Sequence, residues 1–338
     1  MATNVVPDFS ALRVAVVGDL VADHYLYGEP VRLSREAPVM VLRHRGEELG
    51  AGGAANAARN LRSLGARVHA LGLVGRDRSG RELVAGLERD GIDVEGIETL
   101  ADWLTPTKTR ILGTERGRGR HHVLRIDREP EGVPPAPVRA RLAQRLTELG
   151  GELDAVLLSD YGYGLLRAEL AGAARALRVA GRVVVLDPRR AFESFAGLTA
   201  ITPNLGELAL ATRRPPEELD GPAAIERAAR ELLFQAGPEH VLVTLGNQGM
   251  RLVSRTGPTL AVPAAGSEAL DVSGAGDTAA AAFTLALAVG CDGARALRLA
   301  NAAAGVVVME PGAVPCALDK LRSALPLAPQ PGLAAPVA

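Results

Sequence analysis

The sequence Asp271-Val272-Ser273-Gly274-Ala275-Gly276-Asp277 places a glycine-rich turn directly before a run of helix-forming residues, 278–288. A turn at a helix N-terminus presents unpaired backbone N–H groups and the positive end of the helix dipole, which together bind anions such as phosphate. Asp277 falls in the first turn, where its carboxylate can face the same anion. We interpret it as a base that activates a hydroxyl for phosphoryl transfer. The alternative is an aspartate that only caps the helix.

The composition argues against several classes of protein. The chain has 338 residues, of which 47% are apolar, and a formal net charge of -1. A near-neutral charge argues against general binding to nucleic acid or membrane surfaces. We find no apolar run suited to span a bilayer and no basic region typical of a signal peptide. Cys291 and Cys316 do not make a disulfide framework or a metal cluster, so we predict a cytoplasmic protein.

Helical and strand patterns alternate regularly from residue 136 onward. This alternation predicts an α/β fold, with three layers (α/β/α) and a mainly parallel central sheet. Strand-like segments within about 31–50 and 106–128 have few helices between them, which predicts a small β-sheet lid over the carboxyl edge of the main sheet. We expect one domain over residues 1–324 and a disordered tail, rich in Pro and Ala, over 325–338.

Two motifs are suited to a ligand with hydroxyl groups. Gly50-Ala51-Gly52-Gly53-Ala54-Ala55-Asn56 opens a helix; its glycines allow close approach to the backbone, and Asn56 offers both a donor and an acceptor. Asp19 follows a buried strand, with Asp23 four residues later, and such carboxylates bind sugar hydroxyls by charge-assisted hydrogen bonds. The alternatives are a tight turn for the first motif and a cap or solvated turn for the second.

Two further motifs suit a nucleotide and its metal ion. Asn204 and Glu207 stand at the start of a helix, and Glu207 could belong to a hydrated Mg²⁺ site, because Mg²⁺ keeps its waters and uses few protein carboxylates. Thr244-Leu245-Gly246-Asn247-Gln248-Gly249 follows a buried strand and could contact a nucleotide. The alternatives are a helix cap and an ordinary turn.

The segment 108–128 is strongly basic. Lys108 and Arg110 alternate on one face of a candidate lid strand, and Arg125 follows on the next strand. A sugar that already carries a phosphate would need such partners, and arginine matches phosphate geometry. The alternative is an ordinary solvated strand face.

In this order, the motifs resemble the signatures of the ribokinase-like (PfkB-type) carbohydrate kinases, from Arg13 to about Ala324. The resemblance implies a kinase that uses ATP and Mg²⁺. It implies Asp277 as the base, and an anion hole made by Gly274, Ala275 and Gly276. It further implies that Asn204, Thr244, Gly246, Gly249 and Asn301 bind the nucleotide, and that Glu207 holds Mg²⁺ through water, with Asp160 as a second candidate. Asp19, Asp23, Gly52, Gly53 and Asn56 would bind the sugar, and Lys108, Arg110 and Arg125 its phosphate.

Within this family, several stretches resemble the kinases of D-glycero-β-D-manno-heptose 7-phosphate in ADP-heptose biosynthesis. They are Gly18-Asp19-Leu20-Val21-Ala22-Asp23-His24-Tyr25, Glu36-Ala37-Pro38-Val39, Thr107-Lys108-Thr109-Arg110, Leu124-Arg125-Ile126-Asp127, Leu158-Ser159-Asp160-Tyr161-Gly162, Asp187-Pro188 and residues 301–308. Three positions depart from the pattern: Arg35 replaces Pro, and Tyr163 and Arg189 replace Lys. Bifunctional members add a nucleotidyltransferase domain with a His-x-Gly-His motif, which this sequence lacks.

The resemblance therefore predicts phosphorylation of the anomeric hydroxyl of heptose 7-phosphate, giving heptose 1,7-bisphosphate and ADP, by a homodimer that shares its lid. One alternative is a kinase of another sugar or sugar phosphate, such as ribose or fructose 1-phosphate. Another is a non-catalytic regulator that binds a sugar or nucleotide on the same fold. A Rossmann dehydrogenase is disfavoured, because no Gly-x-Gly-x-x-Gly follows the first strand.

Overall fold

The computed structural model describes residues 5–115, 119–190, 192, 194–265 and 269–333. Residues 116–118 of the basic segment therefore lie outside the described residues. The strands within the described ranges are β1 (Arg13–Gly18), β2 (Leu20–Leu33), β3 (Met40–Gly53), β4 (Arg67–Gly75), β5 (Asp93–Leu100), β6 (Thr107–Glu115), β7 (Gly119–Arg128), β8 (Ala155–Ser159), β9 (Val183–Asp187), β10 (Ala200–Ile201), β11 (His240–Thr244), β12 (Met250–Ser254), β13 (Leu260–Val262) and β14 (Gly332–Leu333). The α-helices are α1 (Ala54–Ser63), α2 (Arg78–Arg89), α3 (Ala136–Leu149), α4 (Ala168–Val179), α5 (Leu205–Ala211), α6 (Pro222–Ala236), α7 (Ala275–Ala288), α8 (Gly293–Val307) and α9 (Leu318–Ala324).

The larger sheet has the strand order β14-β13-β12-β11-β10-β9-β8-β1-β4-β5. Its strands from β11 to β5 are parallel to their neighbours, and β12, β13 and β14 extend one edge in antiparallel pairs. This confirms the predicted mainly parallel sheet.

The sheet lies between two helical layers. In β1, Val14 and Val16 pack in one core with α1, α2, α7, α8 and α9, while Ala15 and Val17 pack in the other core with α3, α4, α5 and α6. Successive side chains of a strand point to opposite faces, so an unbroken apolar run is what a strand covered on both sides requires. The predicted three-layer α/β/α arrangement is confirmed.

The smaller sheet has the order β3-β2-β6-β7 and contains the predicted lid segments. Strand β2 begins at Leu20, and β1 ends at Gly18. The chain therefore passes from the main sheet into the lid through a single residue, Asp19. Gly50 to Gly52 lie in β3 and pair with β2, so they do not form the tight turn that was the alternative interpretation of this motif. The lid exposes several large apolar side chains, namely Val31, Leu33, Val39, Met40, Val123, Leu124 and Ile126.

The C-terminal segment is ordered as far as Leu333, in contrast to the predicted disordered tail. Leu325 and Ala328 are buried, and β14 pairs with β13. The guanidinium of the buried Arg298 donates to the carbonyls of Leu325 at 2.7 Å and Ala328 at 3.2 Å. The composition of the tail did not reveal this anchor, because Arg298 lies on α8, well before the tail in the sequence. Residues 334–338 lie outside the described residues. None of the described helices is both long and apolar enough to cross a membrane.

Candidate active site

The site forms where neighbouring parallel strands end. Asp19 follows β1, Asp160 and Tyr161 follow β8, and Asp187 is the last residue of β9. These strands are adjacent in the sheet, so their carboxyl ends meet at one edge, the usual ligand-binding edge of open α/β sheets. The sequence therefore brings separated acidic residues to one place through sheet topology alone.

The glycine-rich turn leads into α7 as predicted. Gly274 is the N-cap, with a left-handed φ of 78°. A Cβ at Gly274 would lie 2.5 Å from Nδ2 of Asn56, so both the backbone angle and the contact require glycine. A Cβ at Gly276 would meet no atom within 4 Å. The amide of Ala275 donates to the carbonyl of Val272 at 3.3 Å, so this amide is engaged within the turn.

Asp277 lies at the buried base of this turn. Its Oδ2 accepts a hydrogen bond of 2.7 Å from Nδ2 of Asn56, and its Oδ1 accepts one of 2.8 Å from the hydroxyl of Tyr161. Burial raises the pKa of Asp277 to about 6, although both hydrogen bonds and the charge of Lys108 act to lower it. Near neutral pH this carboxylate is therefore ionised but readily accepts a proton, as a general base requires.

Asn60 supports this arrangement from the next turn of α1. Its Nδ2 donates to the carbonyl of Asn56 at 3.0 Å, and its Oδ1 accepts from the hydroxyl of Thr278 and the amide of Cys316, each at 2.9 Å. Sequence reasoning missed both Asn60 and Tyr161. The available signal for Asn60 was a second asparagine four residues after Asn56, on the buried face of an alanine-rich helix.

Asp19 is buried next to Tyr161. Its Oδ2 accepts from the backbone amides of Tyr161 at 2.9 Å and Tyr163 at 3.1 Å. Burial, with the nearby Asp160 charge, raises the pKa of Asp19 to about 6. A Cβ at Gly53, where φ is 56°, would lie 2.6 Å from the carbonyl oxygen of Asp19, so Gly53 permits the close packing of α1 against this strand end.

Asp23 forms an ion pair with a residue predicted to bind phosphate. Its Oδ1 accepts from Nη1 of Arg110 at 2.6 Å, and both side chains are largely buried. A Cβ at Gly52 would lie 2.8 Å from Oδ2 of Asp23, so this glycine makes room for the carboxylate. In this conformation Arg110 neutralises a buried acid and is not free to act on a phosphate alone.

The other two predicted phosphate ligands lie in different surroundings. Nζ of Lys108 lies 4.9 Å from the centroid of the Tyr161 ring, and burial lowers the pKa of Lys108. Arg125 pairs with Asp127 at 2.8 Å on the exposed lid. Arg125 and Arg110 both line a cavity of about 760 Å³ between the lid and the loops 269–273 and 311–315.

The predicted metal residue lines a smaller cavity of about 140 Å³ beside Asp277. Glu207 and Asn204 form a reciprocal capping box, with both hydrogen bonds at 2.9 Å, so the predicted helix cap is present. Asp160 and Asp187 line the same cavity. Burial raises the pKa of Glu207, and burial with the charges of Asp277 and Glu207 raises that of Asp187 well above its usual value.

These carboxylates suit a metal ion that is held through water better than one that several side chains coordinate directly. No group of three or more His, Cys, Asp or Glu side chains in the described part of the chain is arranged to hold a metal ion. Mg²⁺ keeps several waters and needs only one or two carboxylates, and the accumulated negative charge around this cavity favours such an ion.

Some of the residues predicted to bind the nucleotide shape the backbone, and others line a cavity. Nδ2 of Asn301 donates to the carbonyl of Pro263 at 3.0 Å, and a Cβ at Gly249 would lie 2.0 Å from the carbonyl oxygen of Val262. Both therefore shape the local backbone. Thr244 lines the 140 Å³ cavity, and Gly246, with φ of 57°, opens the turn after β11.

A separate cavity of about 510 Å³ lies along α8 and the C-terminal segment. Its walls include Ala302, Gly305, Val306, Leu327 and Ala328. A mainly apolar cavity of this size can hold a flat heterocycle such as adenine.

Comparisons with known proteins agree with this geometry. The family model described as "pfkB family carbohydrate kinase" matches residues 11–130 and 143–320. The bifunctional protein HldE of Magnetococcus marinus is 40% identical over 323 residues, covering 94% of this chain and 64% of that protein. The HldE of Desulfatibacillum aliphaticivorans is 38% identical over 322 residues, with the same coverage. The chain thus spans about 64% of the length of these curated relatives.

Solved structures share the fold. Phosphofructokinase-2 of Escherichia coli superposes with a TM-score of 0.76 at 20% identity, covering 94% of this chain and 99% of that chain. A ribokinase of Arabidopsis thaliana superposes with a TM-score of 0.71 at 22% identity, covering 93% and 98%. Since the family model matches most of the sequence and the site motifs lie within the matched residues, the chain belongs to the pfkB family of carbohydrate kinases.

Proposed function

We propose that the protein transfers the γ-phosphoryl group of ATP to the anomeric hydroxyl of D-glycero-β-D-manno-heptose 7-phosphate, giving heptose 1,7-bisphosphate and ADP. Membership of the pfkB family supports a sugar kinase. The similarity to HldE proteins, together with the stretches that resemble heptose 7-phosphate kinases, supports the choice of sugar. We assign this reaction to the cytoplasm, where ATP is available.

One observation carries the proposal. A buried carboxylate, Asp277, is fixed by Asn56 and Tyr161 at the N-terminus of α7, beside a glycine turn. Asp277 takes the proton from the anomeric hydroxyl, and the resulting oxygen attacks the γ-phosphorus while ADP leaves. The Gly276 amide and the α7 dipole stabilise the charge on the transferred group. Glu207 would hold Mg²⁺ through water, and the ion would supply positive charge to the ATP phosphates.

Different parts of the site would hold the sugar hydroxyls, the 7-phosphate and the adenine. Asp19 and Asp23 accept hydrogen bonds from the sugar hydroxyls at the buried end of the site. The 7-phosphate extends toward the lid, where Lys108, Arg110 and Arg125 supply positive charge. The 760 Å³ cavity is lined by Arg110 and Arg125, and also by Arg59 and His122. The adenine occupies the 510 Å³ cavity along α8.

We also propose a homodimer in which the lids meet. The exposed apolar side chains of the lid, among them Leu33, Leu124 and Ile126, support this arrangement. Light scattering after size exclusion should show a dimer, and the double change Leu124→Glu with Ile126→Glu should yield a folded monomer. A wild-type monomer at micromolar concentration would contradict this part of the proposal.

A coupled assay of ADP release, across C5–C7 sugars and their phosphates, tests the function. The highest kcat/KM is expected with heptose 7-phosphate, and the unphosphorylated heptose should be much poorer. Preference for ribose or a fructose phosphate would assign another kinase of the same family. Absence of ATP turnover with every sugar would favour a non-catalytic regulator.

A further inference from the structure

We propose that Tyr161 is a positioning residue that holds the Asp277 carboxylate in its ionised, correctly oriented form; this inference rests on the proposed function. The hydroxyl of Tyr161 donates to Oδ1 of Asp277 at 2.8 Å, while Asn56 donates to Oδ2. Each carboxylate oxygen thus has one protein donor and retains capacity for a further hydrogen bond. The two donors leave little freedom for the carboxylate to rotate.

Two further contacts fix the position of Tyr161. Its backbone amide donates to Oδ2 of Asp19 at 2.9 Å, directly after β8. The ammonium of Lys108 lies over its ring, 4.9 Å from the centroid, in cation–π geometry. Tyr161 also lines the 140 Å³ cavity together with Asp277 and Gly276. Tyr161 therefore connects a sugar-binding acid, a lid cation and the base.

The charges around Asp277 explain why such a donor is needed. Burial disfavours its ionised form, and Asp23 from β2 places negative charge near it. Lys108 from β6 is the opposing positive charge, while Asn56 and Tyr161 donate hydrogen bonds to the carboxylate. Removing one donor shifts this balance toward the protonated carboxyl, which cannot act as a base.

The change Tyr161→Phe tests this role because it keeps the ring, the backbone amide and the contact with Lys108. A hydrogen bond to an ionised carboxylate is strong enough that its loss should raise the pKa of Asp277 by about one unit. The acidic limb of the kcat/KM profile should move up in pH by the same amount. At pH 6 the activity should fall about fivefold more than at pH 9, where the base is ionised in both proteins.

Tyr163→Phe is a matched control. The Tyr163 amide also donates to Asp19, but its hydroxyl donates to Glu129 at 3.2 Å, away from Asp277. This variant should leave the acidic limb in place. If Tyr161→Phe loses activity equally at every pH, and the acidic limb of its kcat/KM profile does not move, Tyr161 has a purely structural role. That result would overturn the inference.

A second readout separates this inference from the proposed function. The carboxyl ¹³C resonance of Asp277, identified by its disappearance in Asp277→Asn, can be titrated without any substrate. An upward shift of its pKa in Tyr161→Phe, but not in Tyr163→Phe, supports the inference even if no sugar is phosphorylated. An unchanged titration would refute the inference even if the kinase assay succeeds.

Discussion

Gly276→Ala should make the protein slightly more stable while disabling it. Gly276 lies in the first turn of α7, and a Cβ there would meet no protein atom within 4 Å. The added methyl group would project into open space beside the 140 Å³ cavity that Gly276 lines. Folding would therefore tolerate the change, but the proposed phosphoryl cradle would be partly filled.

The effects of Gly276→Ala on stability and on turnover can be estimated separately. Alanine is favoured over glycine in a helix by about 0.5–1 kcal/mol, so a gain of about 0.5 kcal/mol is expected near the helix end. The alanine keeps the backbone N–H, but its methyl group would hold the phosphoryl group away from that donor, and losing the use of such a donor lowers turnover by about 10²–10³-fold. Stability and activity should therefore change in opposite directions.

Urea unfolding and ADP release measure these effects on the same preparation. Gly274→Ala is the comparison, because its Cβ would lie 2.5 Å from Asn56 at a φ of 78°. That change should lower stability by about 1–2 kcal/mol from the backbone angle alone, and should reduce activity as well. Wild-type turnover in Gly276→Ala would refute the assignment of this turn as the phosphoryl site.

Three further predictions concern the surroundings of the turn. Because burial raises the pKa of Asp277 to about 6 and the base must be ionised, kcat/KM should fall about tenfold per pH unit below pH 6; a flat profile from pH 5 to 8 would contradict this. Lys108→Ala should raise the KM of the sugar phosphate at least about tenfold more than that of ATP, whereas Arg45→Ala, an exposed lid change, should alter neither. Arg298→Met should lower the free energy of unfolding by about 2–4 kcal/mol, because buried carbonyls lose a charged donor; a loss under about 1 kcal/mol would contradict the anchoring role.

The sequence predicts the helices and strands that pack against a continuous core. Helix α3 (Ala136–Leu149) has buried residues at helical spacing, because one face packs on a core, and β1 is an unbroken apolar run, because both of its faces are covered. Strand β2 was not predicted, since its partners β3 and β6 lie elsewhere in the chain. The residue pattern of one segment cannot reveal which distant strands it pairs with.

The site was predictable only as separate motifs. Asp277 and the glycine turn form one local signal, and the structure places Asn56, which the sequence assigned to the sugar, against Asp277. The hydrogen bond from Tyr161 crosses 116 residues of sequence, and the ion pair of Arg110 with Asp23 crosses 87. Neither follows from composition or spacing, because sheet order decides which strand ends become neighbours.

Asp277→Asn tests the central claim most directly. Asparagine keeps the size of the side chain but cannot take a proton from the sugar hydroxyl. With heptose 7-phosphate as acceptor, ADP release should fall about 10²–10⁴-fold, while calorimetry shows little change in ATP binding. Turnover within a few-fold of the wild-type value, in a variant that remains folded, would contradict the role of Asp277 as the base.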